Sequence, residues 1–216
     1  MRRQARRRSM VALVWVAVLL VLTVGSRRVR GDDDHAQHVR WDIVSINFTA
    51  PLTVRAGGHA SATANDNSQI ILTGSGTFVA PGESGRGENH GVTGGGTWMT
   101  CNPASTVCAT GNYKVTGLVR WDPAPFPPGG GPPRADLIDA AAVSSTGLAV
   151  LRIAYSDGAR GILVVSCTGA TAPGDLFEGI TATKGFVDYF NRVAPAGGVD
   201  GNRTVFHIRA TQEHED

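Results

Sequence analysis

Two stretches of the chain concentrate residue types that could do chemistry. In the glycine-rich run Pro81-Gly82-Glu83-Ser84-Gly85-Arg86-Gly87-Glu88-Asn89-His90-Gly91, an acid, an amide and a base stand side by side. His90 is a candidate general base there, although neighbours on one loop seldom converge on a single reacting atom and a polar hairpin tip has the same composition. The second stretch, Glu178 to Asn191, sets Glu178, Lys184 and Asp188 among Phe186, Tyr189 and Phe190. Carboxyls beside aromatic rings could act as the acid and base of an exported hydrolase or isomerase, or the rings could form a stacking platform for a sugar. Glu178 and Asp188 therefore join His90 as candidate catalytic residues. Lys184, Phe186 and Tyr189 join Trp98 and Trp121 as candidate ligand-binding residues. A capped amphipathic helix with its aromatics in the core would account for the same spacing.

Metal chemistry finds little support. His59 and His207 could meet in the fold and ligate an ion with Glu88 or Asp188, but nothing in their spacing selects this over ordinary half-buried histidines. The run Asp32-Asp33-Asp34-His35-Ala36-Gln37-His38 mixes carboxylates and imidazoles without apolar periodicity and reads as a solvated linker rather than a tight site. Gly94-Gly95-Gly96 leads into Thr97-Trp98 with no Lys-Ser/Thr and no helix start behind it, so it is not a phosphate cradle. No nucleophile elbow, zinc-protease motif or paired-carboxylate signature is present, and neither a metal nor another cofactor is expected. Asn47-Phe48-Thr49 and Asn202-Arg203-Thr204 satisfy the glycosylation sequon.

The amino terminus sets the compartment. Eight arginines and no acid lie in the first thirty-one residues, around an apolar stretch from Met10 to Val24. That is the basic and apolar pattern of an export signal, either cleaved near Gly31 or kept as an anchor, the run being short for a membrane span of about 20 residues. The whole chain carries a formal charge of +2; without this segment 12 basic residues face 18 acidic ones, a net charge of −6. Nucleic acid is excluded as a partner on that balance, since the remaining cations are scattered singly. Membrane contact is expected only through residues 10–24, if they are retained. In an oxidising compartment Cys101 and Cys108, with six turn-prone residues between them, are expected to pair. Cys167 ends the apolar run Ile162-Leu163-Val164-Val165-Ser166 and reads as a buried small hydrophobe, with a catalytic thiol as the less economical alternative.

The elements that must position these residues are mostly strands. Period-two patterning and β-branched composition mark Trp41 to Phe48, Leu52 to Arg55, Gln69 to Thr73, Gly76 to Val79, Gly96 to Thr100 and Tyr113 to Trp121. Both faces of the first strand carry apolar residues, so both should be covered. Gly74-Ser75 could be a tight turn or a bulge. Six prolines and three glycines between Asp122 and Arg134 exclude a regular element there. Beyond them, Leu148 to Tyr155 and Gly161 to Cys167 flank Ser156-Asp157-Gly158, the strongest hairpin signal in the chain, and Val205 to Arg209 supplies a closing strand. Phe186, Phe190 and Val193 at i, i+4 and i+7, with Thr183 as N-cap and Pro195 as stop, predict a short helix over 184–193. A second turn or two of helix is expected over 135–143.

These elements predict a mainly β fold, an antiparallel barrel or sandwich with one or two short helices, preceded by the signal or anchor helix. The expected organisation is an export segment over 1–31, a linker over 32–39, one domain over 40–209 with a Pro/Gly loop at 122–134, and a polar tail over 210–216. Trp41, Trp98, Trp121, Phe186, Tyr189 and Phe190 among strands suggest an exported or membrane-tethered module that binds a small apolar or carbohydrate ligand, or another envelope component. An exported enzyme and a structural or interaction protein with exposed strand edges are the alternatives.

Overall fold

The computed structural model describes residues 37–80, 91–124, 134–139, 142–169 and 172–209. Fourteen strands are formed among them: β1 His38–Asn47, β2 Leu52–Ala56, β3 Ala60–Thr63, β4 Gln69–Leu72, β5 Ser75–Val79, β6 Thr93–Cys101, β7 Cys108–Ala124, β8 Arg134–Asp136, β9 Val143–Tyr155, β10 Arg160–Cys167, β11 Gly179–Lys184, β12 Val187–Tyr189, β13 Asn191–Arg192 and β14 Arg203–Arg209. Six of them close a ring in the order β9, β14, β1, β5, β6, β7 and back to β9, every pair antiparallel. The fold is therefore a closed barrel, the barrel alternative of the sequence reading. Closure leaves the ring with no unpaired edge.

The wall branches where strands change partners along their length, among them β1, whose His38–Asp42 pair with β5 and whose Val44–Asn47 pair with β2. On the side of β9 away from β7, Val143–Ser145 pair with β14, whereas Gly147–Ala154 pair with β10. On the side of β6 away from β7, Thr93–Gly95 pair with β5 and Trp98–Cys101 pair with β4. The branches are continued by β11 and β12 on one side and by β3 and β13 on the other. Gly74-Ser75 is thus neither a hairpin turn nor a bulge: Leu72 opposite Trp98 and Ser75 opposite Gly95 keep a single register, so β4 and β5 continue one another along β6.

Alternation along the strands fills the interior. On β9, Ala149, Leu151, Ile153 and Tyr155 are buried, while Arg152 between them is exposed. Val39, Trp41 and Ile43 from β1, Phe78 from β5, Leu163 and Val165 from β10, and Phe206 from β14 meet them in one cluster. Two register shifts in β7, between Val115 and Gly117 and between Leu118 and Arg120, bend that long strand so that Tyr113, Val115 and Trp121 all reach the core. A smaller apolar cluster of Val44, Val54 and Val205 lies on the outer side of β1, as the covered second face of that strand required.

Each of the three barrel tryptophans is seated over a glycine. Trp41 stands opposite Gly76, where a Cβ would lie 2.8 Å from its Nε1. Trp98 stands opposite Gly111 in the same way, and Trp121 covers Gly147 on β9. An indole laid over a glycine buries the bare backbone and fills the space that two side chains would otherwise contest.

The predicted helix over 184–193 does not form. That segment is the end of β11, a turn at Gly185-Phe186, β12 and β13. Phe186 is fully exposed at the turn and Phe190 is 53% exposed, so the i, i+4, i+7 spacing never becomes a buried stripe. Instead Ile180, Ala182 and Tyr189 face inward, and Gly185 adopts a left-handed φ of 59° that ends the strand. Thr183, expected as an N-cap, accepts from the Tyr155 hydroxyl on its carbonyl and from the Ile162 amide on its hydroxyl. The second expected helix is replaced, in its described part, by β8, which runs parallel to β2. The Pro/Gly loop is also shorter than expected: β7 continues through Pro123 to Ala124, and residues 125–133 lie outside the described residues.

Candidate functional site

The outer faces of β4, β6 and β7 form a floor set by their register. Ile71 stands beside Met99, which stands beside Thr110; one row along, Thr97 stands beside Asn112. Alternation puts these side chains on the face opposite Leu72 and Tyr113, which are buried. The result is an open groove of about 430 Å³ bounded by these residues with Thr73, Gly111 and the edge of Trp98. Thr73 and Thr97 share a hydroxyl–hydroxyl bond of 2.7 Å, and the Thr97 amide donates to Thr73 Oγ1 at 3.0 Å. Ile71 and Met99 supply half-buried apolar lining, and Thr97, Thr110 and Asn112 are exposed polar residues beside them.

The disulfide pins one end of this floor. Cys101 and Cys108 occupy facing positions on β6 and β7, with a Cα–Cα distance of 4.2 Å and a 2.04 Å S–S bond. At the other end Asn112 is tied to the β9–β10 turn, its amide donating to Ser156 Oγ at 3.1 Å and its carbonyl accepting from the Ser156 amide at 2.8 Å.

Behind the groove Trp98 takes part in an aromatic corner. Its ring meets that of Tyr155 edge-on at 5.9 Å with planes 88° apart, and Tyr113 lies 6.3 Å from Tyr155. The Lys184 ammonium lies 4.2 Å from the Trp98 centroid and 5.3 Å from that of Tyr155, and it is ion-paired with Asp157 in the β9–β10 turn. Burial pushes the Tyr113 and Tyr155 hydroxyls above the ordinary phenol range, and each donates to a carbonyl, Tyr113 to Thr73 and Tyr155 to Thr183, at 2.8 Å. The hydrogen bond to Lys184 holds the Asp157 carboxyl below the usual range. Trp98, Lys184 and Tyr189 are therefore gathered at one end of the barrel, Tyr189 through its pairing with Ala182 on β11. Trp121 is elsewhere, packed edge-on against Phe206 at 4.7 Å and Phe78 at 5.4 Å. Phe186 touches neither group, at the open tip of the β11–β12 hairpin.

The candidate acids do not share a site. Glu178 precedes β11 and braces the fork beside β9: one carboxylate oxygen accepts from the Thr168 amide at 2.9 Å and the other from the Thr204 amide at 2.7 Å. Thr204 Oγ1 donates to the Ser166 carbonyl at 2.6 Å across the same fork. Burial raises the Glu178 carboxyl to about 7, against the lowering effect of those amide bonds and of Arg203. Asp188 is exposed and pairs in register with Thr183, five residues along the strand from Glu178, or ~17 Å at about 3.3 Å per residue. No common reacting atom lies within reach of both. His90 and Glu88 fall outside the described residues. The free Cys167 is buried at the end of β10.

The two histidines also stand apart. His59 is exposed and its carbonyl accepts from the Asn202 amide at 2.8 Å, while His207 lies five residues farther along β14. His207 is 1% exposed and bonds through Nε2 to Asp136 at 2.8 Å. Burial raises the Asp136 carboxyl, but the bonds from His207 and the Ile138 amide, with the charge of His207, outweigh it and leave the group below its ordinary value. Arg40 forms a two-pronged bond to the buried Asp42 at 2.7 and 2.8 Å on the same outer face, and Arg209 pairs with Asp139 at 2.6 Å. Sequence reasoning missed this network. The i, i+2 spacing of Arg40 and Asp42 on one strand face was its one local signal, for Asp136 and His207 lie 71 residues apart. Among the described residues no group of three metal-ligating side chains occurs.

Comparison of the chain with protein-family models, with curated proteins and with solved structures finds no match to any of them.

Proposed function

We propose that this chain is an exported β-barrel binding module, acting outside the cytoplasm, whose groove beside Trp98 takes a carbohydrate. The observation that carries the reading is the groove itself, in which Ile71 and Met99 supply apolar lining beside the exposed polar residues Thr97, Thr110 and Asn112. A purely apolar ligand gains most from an enclosed pocket that removes nearly all its surface from water. An open trough leaves one side of its occupant wet, which suits a sugar with a C–H face below and hydroxyls above. Among the described residues one apolar cluster occupies the barrel interior, and the groove lies on the outer wall.

Placement supports the same reading. His38, where the chain enters the barrel, pairs with Arg209 near the Val143 end of β9, whereas Asn112 and Ser156 tie the groove to the Tyr155 end. The 13 residues of β9 span ~40 Å at about 3.3 Å each, so His38 and the groove lie toward opposite ends of the barrel. The disulfide fits an oxidising location. The test is calorimetric titration of the exported protein with a panel of neutral and amino-sugar oligosaccharides, beside a Thr97→Arg variant that fills the trough from an exposed position. Binding by the wild type and at least tenfold weaker binding by the variant is expected. Absence of binding across the panel, or equal affinity in the variant, refutes the assignment.

A further inference from the structure

The two sequons meet different fates in the fold. Asn47 ends β1 and is exposed, as are Phe48 and Thr49 after it. The Asn47 side-chain carbonyl accepts from the Thr49 amide at 3.0 Å and from Thr49 Oγ1 at 2.8 Å. This closes an Asx turn in which both donors engage Oδ1 rather than Nδ2. The Phe48 ring lies 5.2 Å from the Arg203 guanidinium, and the tripeptide stands exposed between β1 and β2.

Asn202 is committed to the fold instead. It is half-buried with a left-handed φ of 55°, its amide donates to the His59 carbonyl, and its Oδ1 accepts from the Ser61 amide at 2.8 Å. The hydroxyl of its partner Thr204, 5% exposed, is already donated to the Ser166 carbonyl. A glycan on Asn202 would have to pull this side chain out of the β3–β14 junction and leave the Ser61 amide without its acceptor.

We infer that Asn47 is an acceptor for N-linked glycosylation of the exported chain and that Asn202 is not. The donor class is a saccharide on a polyprenyl pyrophosphate, transferred by an oligosaccharyltransferase in the compartment the chain enters. Asn47 Nδ2 forms a bond to the anomeric carbon, the bond from that carbon to the pyrophosphate oxygen breaks, and the pyrophosphate leaves with the electron pair. The proton lost from Nδ2 passes to a base of the transferase. Two donors on Oδ1 polarise the amide carbonyl and so make the Nδ2 proton easier for the transferase base to remove, which frees the nitrogen pair for attack.

The inference rests on the export reading, and one experiment separates the two. The full chain is translated in the presence of endoplasmic-reticulum microsomes. Protection from added protease reads export; an endoglycosidase-sensitive mass shift, with mapping of the glycopeptide in the folded, disulfide-bonded product, reads modification. A protected product with one glycan on Asn47, lost in Asn47→Gln and Thr49→Ala, is expected. A protected product that is unmodified at Asn47, or folded and modified at Asn202, overturns the inference and leaves export standing. An unprotected, unmodified chain overturns both.

Discussion

Glu178 ties the stability of the barrel to pH in a direction opposite to that of most carboxylates. Its carboxyl ionises at about 7 in the folded protein against 4.5 for the ordinary group, because burial at the fork between β10 and β14 outweighs the amide bonds it accepts. Below the unfolded value the group is neutral in both states and costs nothing. Above the folded value it is charged in both, and burying that charge costs the full difference. The contribution of Glu178 to stability is thus greatest at acid pH and is lost as pH rises from about 4.5 through about 7. A shift of this size corresponds to ~3 kcal/mol at about 1.4 kcal/mol per unit. The residue retains some solvent contact, so screening reduces the expected value to about 2 kcal/mol. For a domain of this size that is ~4–8 °C in Tm. The assay is thermal unfolding of wild type and Glu178→Gln at pH 5.0 and 8.5, with the groups common to both cancelling in the comparison. Glutamine keeps one of the two acceptors and leaves an amide of Thr168 or Thr204 unpaired, an offset of about 1–2 kcal/mol at every pH. The wild-type Tm should fall relative to the variant between the two pH values. A wild-type-minus-variant difference that is flat or rises toward pH 8.5 refutes the coupling.

Three other predictions test the packing. Lys184→Met removes the ammonium from the Trp98–Tyr155 corner and from Asp157; chemical denaturation should show a loss of about 1 kcal/mol with a change in Trp98 emission, the small value reflecting a partly exposed ion pair. Replacing both Cys101 and Cys108 by serine opens a loop with a sequence separation of 7 and should cost ~2 kcal/mol in urea unfolding, with the reduced wild type matching the variant. Gly76→Ala would set a Cβ 2.3 Å from the Thr93 carbonyl and 2.8 Å from Trp41, whereas Gly174→Ala meets nothing within 4 Å. The first should cost about 2–3 kcal/mol or more by calorimetry and the second less than about 0.5 kcal/mol; similar values for both would show that the Trp41–Gly76 contact is not tight.

Local patterning made much of the β content legible. Ser156-Asp157-Gly158 between two apolar runs specified the β9–β10 hairpin, a three-residue turn closed between Tyr155 and Ala159 with Gly158 at a left-handed φ of 89°. The alternating residues of β1 carried the message that both faces are covered. The segment after Thr183 was misread because an i, i+4, i+7 pattern of three rings is equally compatible with a hairpin that leaves two of them in water, and only the pairing of β11 with β10 decides between them. For the same reason the aromatic residues could be nominated but not sorted: Trp98 and Lys184 meet because β6, β9 and β11 are brought to one end of the barrel, and Trp121 is turned into the core by two bulges in β7.

What the sequence by itself determined is whatever depends on neighbours along the chain: the basic and apolar amino-terminal stretch, the acid balance of the remainder, the strand periodicity, the tight turn and the closely spaced cysteine pair. What only the tertiary structure decided is whatever depends on residues far apart in the chain: closure into a six-stranded ring, the groove across β4, β6 and β7, the buried His207–Asp136 pair, and the separation of Glu178 from Asp188. The physical reason is that periodicity specifies which side of a strand is apolar, whereas register and strand order arise from packing between segments and leave no trace in the spacing of any one of them.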